Sequence, residues 1–577
     1  MSSRVGRRRL LGSGLMGGLG WLLLHSGTPA RAATRNAVGR TLPDNAAPAD
    51  EQVLHVFSAP AETIDRAVSL YKLPFNTSSN PWGDLLSNPL VRADKNLEIV
   101  PAGATSWKVS SDRLTWTFQL DRRQRWSDGT PVTADDYVET FRFEADPKHA
   151  WDFAWYFEEI GLAGWHDALK GTIPPAQIGV EKGQDDYTLL VKTTAPVPFL
   201  PQALIYSAPL NARHLAKYGP YYNNDPKTSI SSGPYVLQEW AKDQRIVYVA
   251  NPAYTGRKPY ITKVIVTFAD LNTEFQAYQN NEVDVCGNFS PADLKTIAAS
   301  PALSAQYHRG FDDFRVYYLG FDTNHPPFND LKVRQAFSHA VDRESLAKYI
   351  IGIQGVPAYA MLAPGFPGSH ENDLKSIQRY DPALARRLLA EAGYPGGKGF
   401  PQLNMWLRSE NALGQAVGNA IAAGLTQVLG IPAVQVSNKE TKLFMSTLNA
   451  HDLQFYMVPY GMDFLDPSNM LGVFVSGGRE TWTNPQFDNL VKTATSMGDQ
   501  AKRLALFHEA EKILVSDVGF IPVFYPKPGF MWKPYVAGDS LSPDKFGLTV
   551  WPWQGWGGEG EMFETVYITK DVSRYRK

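Results

Sequence analysis

Cysteine is almost missing from this chain: Cys286 stands alone among 577 residues. That excludes a disulfide within the chain and any cysteine-based metal cluster. No cysteine follows the apolar N-terminal run, so nothing there offers a thiol for a lipid anchor. Long apolar runs are also lacking. Beyond residue 32 no uninterrupted stretch is long enough to span a bilayer. Signatures of catalysis are absent: Gly-x-Ser-x-Gly, His-Glu-x-x-His and the P-loop do not occur. His149 and His166 each stand without a His or Cys within helical reach, so no metal-ligand spacing is visible. Neither an enzyme nor a cofactor nor a bound metal is therefore expected. The nearest approach to a hydrolytic carboxylate pair is Asp128 with Asp135 and Asp136, or Asp463 with Asp466. Short Asp spacings of this kind are frequent in turns and at helix starts. No internal repeat is evident.

What is present begins with a leader over residues 1–32. Arg7-Arg8-Arg9-Leu10-Leu11 gives two arginines, one residue of any kind and two apolar ones. A Gly-rich apolar run to Leu24 follows, and Ala30-Arg31-Ala32 offers small residues for cleavage. Gly12, Gly14, Gly17, Gly18 and Gly20 make the run too weakly apolar for a membrane anchor. Arg31 beside the cut disfavours the Sec route. The expectation is export of a folded protein by the twin-arginine machinery, giving a soluble periplasmic protein without a lipid anchor. The leader holds Arg4, Arg7, Arg8, Arg9, Arg31 and no acidic residue, so its removal leaves 51 basic against 58 acidic residues, net −7. Such a balance argues against a nucleic-acid or anionic-membrane partner.

The chain is long enough for more than one core. Residues 33–50 are polar and rich in Ala and Pro, a loose start. Strands are expected at Gln52–Phe57, Leu114–Leu120, Tyr187–Lys192, Arg245–Ala250 and Ile261–Phe268. Ser127-Asp128-Gly129-Thr130-Pro131 reads as a turn, and Thr133 as the cap of a helix with Asp135 and Asp136 in its first turn. Helical spacing covers Asp330–Ile351, broken around Asp342, then Asp381–Ala392, Asn411–Leu429 and Gln500–Val515. Asp381-Pro382 opens the second of these and Gly393 closes it. Interleaved helices and strands give an α/β class with mixed sheets. The chain is rich in aromatics (15 Trp, 26 Tyr and 29 Phe), most of which must simply fill cores.

Several blocks share one order along most of the chain. Trp126-Ser127-Asp128-Gly129-Thr130-Pro131-Val132-Thr133-Ala134-Asp135-Asp136 comes first, then Ser231-Ser232-Gly233-Pro234-Tyr235-Val236-Leu237 with Asn251-Pro252-Ala253-Tyr254. Phe275–Asp284 follows, then Asn324–Asp330 with Val333–Phe337 and Ala340–Arg343, and Leu388–Pro395. In these blocks the chain resembles the periplasmic oligopeptide- and dipeptide-binding proteins of ABC importers, the family 5 extracellular solute-binding proteins. The likeness is weakest where relatives carry Leu-Asp-Pro and Glu-Gly-Leu, here Thr63-Ile64-Asp65 and Asn88-Pro89-Leu90.

The resemblance implies a two-lobed periplasmic-binding-protein fold with mixed sheets, a hinge between the lobes and an extra domain (class II, cluster C). Domain I would take residues 33–70, 197–288 and 530–577, domain II residues 71–196, and domain III residues 289–529. It implies two partners, a peptide or small-molecule ligand and an ABC permease at the inner membrane, with the protein acting as a monomer. In peptide-binding relatives an Asp at the position of Asp463, within Val458-Pro459-Tyr460-Gly461-Met462-Asp463, takes the ligand's α-ammonium. Read from the residues alone, Asp463 equally suits a turn or a cap for a helix near Pro467. Tyr460, Gly461 and Met462 flank it, and the backbone around Pro459 would pair with an extended peptide. Trp482, Phe487 and Trp406 are aromatic candidates for the pocket or for the core. No base lies where oligopeptide binders hold a ligand carboxylate. Lys442 is the only one in Glu440–Leu448, with Arg408 and Arg479 as alternatives. A non-peptide solute therefore stays open as the ligand, and a hydrolase or a chaperone remain the readings from other classes.

Overall fold

The computed structural model describes residues 34–58, 83–149, 151, 154–220, 222–310, 313–408, 412–545, 547, 549 and 563–576. Residues 1–32, read above as a leader, and Thr63–Asp65 lie outside them. The alternating run at Leu114–Leu120 forms the strand Thr115–Leu120, with Trp116, Phe118 and Leu120 turned inward. It pairs antiparallel with Ala104–Val109 and Thr188–Lys192, and Val180–Lys182 completes a four-stranded sheet.

The block that carries the family resemblance is architectural. Asp128 Oδ1 accepts from Thr130 N at 2.9 Å, and Gly129 takes φ +84°, which closes the turn. Thr133 caps the helix Ala134–Glu144, and its N–H donates to Asp136 Oδ2 at 3.0 Å. Asp136 is buried, and also receives Trp126 Nε1 at 3.2 Å and Ala212 N at 3.2 Å. Asp135, exposed, pairs with Lys182. Asn88, in the departing segment, donates its N–H to Ser232 Oγ at 3.1 Å. Gly233 is required there, since a Cβ would lie 2.5 Å from Ser87 N.

A second four-stranded sheet runs in the order Val53–Ser58, Lys263–Phe268, Arg245–Ala250, Tyr235–Ala241, with only the first pair parallel. The C-terminal residues complete its core. Gln52 Nε2 donates to Ile568 O at 2.9 Å, and Ile568 N returns a bond to Gln52 Oε1 at 2.9 Å. Phe563, Val566 and Ile568 pack with Leu54, Val56 and Tyr235.

The third sheet has six strands in the order Gly355–Pro357, Ile521–Pro526, Val316–Phe321, Phe455–Tyr460, Asn404–Arg408, Gln435–Lys439. Val316–Phe321 and Phe455–Tyr460 are buried at every position, because helices cover both faces. Tyr317, Leu319, Phe455 and Met457 pack on the helices Leu331–Ala340, Pro382–Glu391 and Ala412–Leu429. Tyr318, Tyr456, Val458 and Tyr460 face the side of Thr441–Asn449, Pro467–Gly472 and Gln500–Ser516. The expected helix Asp330–Ile351 breaks as predicted, into Leu331–Ala340, Arg343–Leu346 and a π turn. Arg343 is buried and staples this break to the sheet, donating to Pro522 O at 2.6 Å and Gln378 O at 2.8 Å.

Two chain crossings join the second and third sheets. Val285–Cys286 and Tyr307–Arg309 both pair with Gly529–Trp532, so the crossings lie side by side in one small sheet. The first and third sheets also meet through their coverings. Phe199 stacks on Phe464 at 4.9 Å, and Tyr156 meets the same ring edge-on at 6.0 Å. The facing walls are thus in contact.

Candidate ligand-binding site

The strand Phe455–Tyr460 aims the site. On one side it pairs with Val316–Phe321 along its whole length. On the other it pairs with Asn404–Arg408 only at Tyr456 and Met457. Among the described residues, Val458–Tyr460 carries no ladder partner on that second side. Beyond Tyr460 the chain squeezes past Asp313. A Cβ on Gly461 would lie 2.3 Å from Asp313 Oδ2, and Met462 N donates to Asp313 O at 3.0 Å. Gly461→Ala should therefore force Asp313 or the 460–463 segment to shift. Overpacking costs roughly 1–3 kcal/mol, and if the wall must move back to bind ligand, that is about a fivefold to 150-fold loss of affinity. Calorimetry on folded variant checks this; wild-type affinity would remove the constraint.

Asp463 is fully buried. Its N–H donates to Asn469 Oδ1 at 2.8 Å; its Oδ2 accepts from Tyr460 OH at 2.8 Å and from Asn469 Nδ2 at 2.9 Å. Oδ1 is buried without a partner among the described residues. Burial pushes the carboxyl from 3.8 up to about 6, against the bonds from Asn469 and Tyr460 and the nearby charge of Arg479. The helix cap is its neighbour: Asp466 caps Pro467–Gly472 through Ser468 N at 3.0 Å and is paired with Arg503. The two Asp residues therefore divide the roles that the sequence leaves open.

Arg479 is held from behind. Glu480 is buried and accepts from Tyr318 OH at 2.7 Å and from Tyr456 OH. That anchor sets the Arg479 guanidinium 5.0 Å from the Tyr460 ring centre. Opposite stands Glu159, on the helix Ala154–Ile160 of the other wall. Its Oε1 lies 2.9 Å from the place a Cβ on Gly472 would take. Glu159 is exposed, yet the surrounding protein and then the charge of Asp463 push it up to about 7. Asp463, Glu159 and Glu480 each feel the charge of this one guanidinium, three carboxyls to a single base.

Of the predicted residues, Pro459, Tyr460, Gly461, Met462 and Asp463 form one continuous wall. Trp482 does not share their contacts: its indole is buried, donates to Asp517 Oδ2 at 2.7 Å and packs on Phe487 at 5.1 Å. Those are core contacts, and Phe487 is likewise buried. Trp406 lies under Lys439, 3.8 Å from the ring centre. Glu159, Asn469 and Asp313 were not legible as site residues. Asn469 had a weak signal, its place in the helix that Asp466 starts; Glu159 had none. Spacing in the sequence also gave no metal ligands, whereas the fold brings His370, Asp373 and His508 together.

Residues 98–482 match the family described as bacterial extracellular solute-binding proteins, family 5 Middle. The chain belongs to this family. The matched stretch is well over half of the chain and holds Glu159, Asp463 and Arg479. The Escherichia coli periplasmic oligopeptide-binding protein OppA is 29% identical over 479 residues, 81% of this chain and 86% of the relative. The Bacillus subtilis dipeptide-binding protein DppE is 28% identical over 536 residues, 90% of this chain and 94% of the relative. Among solved structures, the Escherichia coli murein tripeptide-binding protein MppA superposes with a TM-score of 0.71 at 25% identity, covering 90% of this chain and 98% of that one. The family 5 fold is two-lobed, and the mixed sheets described above build it. These relatives are binding proteins by name. Among the described residues no helix is long and apolar enough to cross a membrane.

Proposed function

We propose that this chain is the periplasmic solute-capture component of an ABC importer. It takes a peptide or related amino-compound between its lobes and delivers it to the permease at the inner membrane. The observation that carries this reading is Asp463: a buried carboxylate with one oxygen unpartnered among the described residues, just past a strand whose last three residues carry no ladder partner there on one side. An α-ammonium supplies the donor that Oδ1 lacks. The peptide backbone then continues along Val458–Gly461, where main-chain pairing gives affinity without side-chain selectivity. Arg479 stands ready for a carbonyl or carboxylate of the same ligand. Lobe closure couples capture to recognition by the permease, since only the closed form presents both lobes in register.

The same reading includes export by the twin-arginine route on the residues 1–32 leader, a soluble monomer without lipid anchor, and no chemistry on the ligand. Domain limits near residues 70, 196, 288 and 529 are supported by the strands of the three large sheets falling within the segments so divided.

The test is a titration of ligand-stripped protein between about pH 5 and pH 8 with a free-amine tripeptide and its N-acetyl analogue. Asp463 must be ionised to pair, and its carboxyl sits at about 6. Affinity for the free amine should therefore plateau near neutrality and fall up to tenfold per unit below about pH 6. Above about pH 8 the ligand's own amine loses its charge. The acetylated analogue should bind weakly with no such slope. Equal affinity and equal slopes for both would refute ammonium capture.

A further inference from the structure

His370, Asp373 and His508 meet on the surface of the six-stranded lobe, remote in sequence from the ligand strand. His370 Nδ1 lies 3.5 Å from Asp373 Oδ2, and His508 Nε2 lies 4.0 Å from the same oxygen. The two imidazole centres are 4.1 Å apart with their planes 45° from parallel, neither stacked nor edge-on. One donor atom from each of the three residues lies within 4.8 Å of the others. Nε2 is the ring nitrogen that His508 turns toward Asp373; its Nδ1, on the other side of the ring, is buried with no hydrogen-bond partner among the described residues. Among the described residues no hydrogen bond engages the side chains of His370 or Asp373. One carboxylate oxygen and two imidazole nitrogens are therefore brought together by the fold.

Their frame is rigid. His508 sits in the helix Gln500–Ser516, on one face with Leu504 and Glu511 at helical spacing. The segment leading to His370 is laid along that face. Glu511 Oε1 accepts from Met361 N at 2.8 Å and Leu362 N at 2.7 Å. Ser369 Oγ donates to Leu362 O at 2.8 Å, and a Cβ on Gly368 would lie 3.1 Å from Leu504 Cδ2. The ligand-bearing side chains thus project from backbone already fixed on both sides.

We propose that His370, Asp373 and His508 form a three-ligand site for a divalent transition-metal ion of the Zn²⁺ class, with water in the fourth position. Two imidazoles and one carboxylate suit such an ion, whereas Ca²⁺ and Mg²⁺ prefer all-oxygen shells. Tetrahedral ligands at about 2.0–2.1 Å from zinc stand about 3.3 Å apart, so small side-chain rotations close the present spacings. Lys512 lies near His508 and opposes a cation, while Glu509 and Asp373 favour it. The bound ion would tie residues 370–373 to the long helix.

Calorimetry and Co²⁺ absorption on the untagged, chelator-stripped chain test the site. Zn²⁺ should bind one to one, Co²⁺ should give the intense visible bands of a tetrahedral ion, and Mg²⁺ should give neither. Asp373→Asn alters an exposed side chain and should weaken Zn²⁺ at least tenfold; His508→Ala and His370→Ala should abolish the Co²⁺ bands. If wild type and all three variants give the same isotherm, or wild type binds no Zn²⁺, the site does not exist. Tripeptide binding by the same variants stays at wild-type level in either case, which separates this result from the reading of Asp463.

Discussion

Asp463→Asn lowers affinity for a free-amine peptide by roughly 2–5 kcal/mol, about 30-fold to several thousandfold. The reason is orientation as well as charge. Tyr460 OH and Asn469 Nδ2 both donate to Oδ2, so the amide of the variant must turn its oxygen to them. Its NH₂ then faces the ligand's ammonium, donor against donor. An N-acetyl analogue has no such group to lose and should change little. Stability moves the other way. A folded-state carboxyl raised to about 6 contributes stability that is fully present below its unfolded value of 3.8 and lost as pH rises through about 6. At neutral pH the ionised group is thus a strain of up to about 3 kcal/mol on the ligand-free fold, by the two-unit shift. The Asn variant should accordingly melt higher without ligand while binding worse. Calorimetry with both peptides and a thermal melt decide it: equal losses for both peptides would exclude Asp463 from the ammonium pocket, and a lower melting temperature would show that its ionised form does not strain the ligand-free fold.

The second large effect is expected at Asp466 and Arg503. Arg503 Nη1 donates to Asp466 Oδ2 at 2.6 Å and Nη2 to Oδ1 at 2.5 Å, with side-chain exposures of only 2% and 8%. Arg503 also donates its Nε–H to Ala494 O at 2.9 Å and lies 5.0 Å from the Phe507 ring centre. Asp466→Ala leaves a guanidinium buried without its carboxylate and uncaps Pro467–Gly472; Arg503→Met strands the carboxylate. Each should cost about 3–5 kcal/mol, because one buried charge loses its partner. The double variant should cost clearly less than the sum, since no lone charge remains. Urea unfolding of the three variants measures this, and small, additive losses would show that the pair is not what holds the helices.

Local structure was legible wherever local chemistry decides it. The alternation of Trp116, Phe118 and Leu120 gave a strand, Asp128-Gly129 a turn, and Asp381-Pro382 a helix start, because each depends on residues a few positions apart. The site was half legible. The 459–463 wall is one short segment whose burial and register come from a single strand. Asp463 and Asp466 looked alike, because what separates them is Arg503, 37 residues downstream of Asp466. Glu159 gave no signal, since only the packing of Ala154–Ile160 against Gly472 brings it to the cleft. His370 and His508 failed for the same reason: metal-ligand spacing in sequence finds ligands on one helix, not on two elements clamped by Glu511. Trp482 was placed by its type, and an aromatic ring is as well served by the core beside Phe487 as by a pocket.

The closure of the Val53–Ser58 sheet by Gln52 and Ile568 has a kinetic consequence. Its first strand needs Lys263–Phe268 as a parallel partner, and its core needs Phe563, Val566 and Ile568. The first joins residues some 210 positions apart and the second joins the two ends of a long polypeptide, contacts of the kind that form slowly and late. On the ribosome, the six-stranded lobe has all its strands by residue 526, while the first lobe must wait for residues beyond 563. The N-terminal strand therefore has no ladder partner until residues 263–268 are made, its core stays incomplete until residues beyond 563 emerge, and the lobe whose first strand is translated earliest should be the last to finish folding.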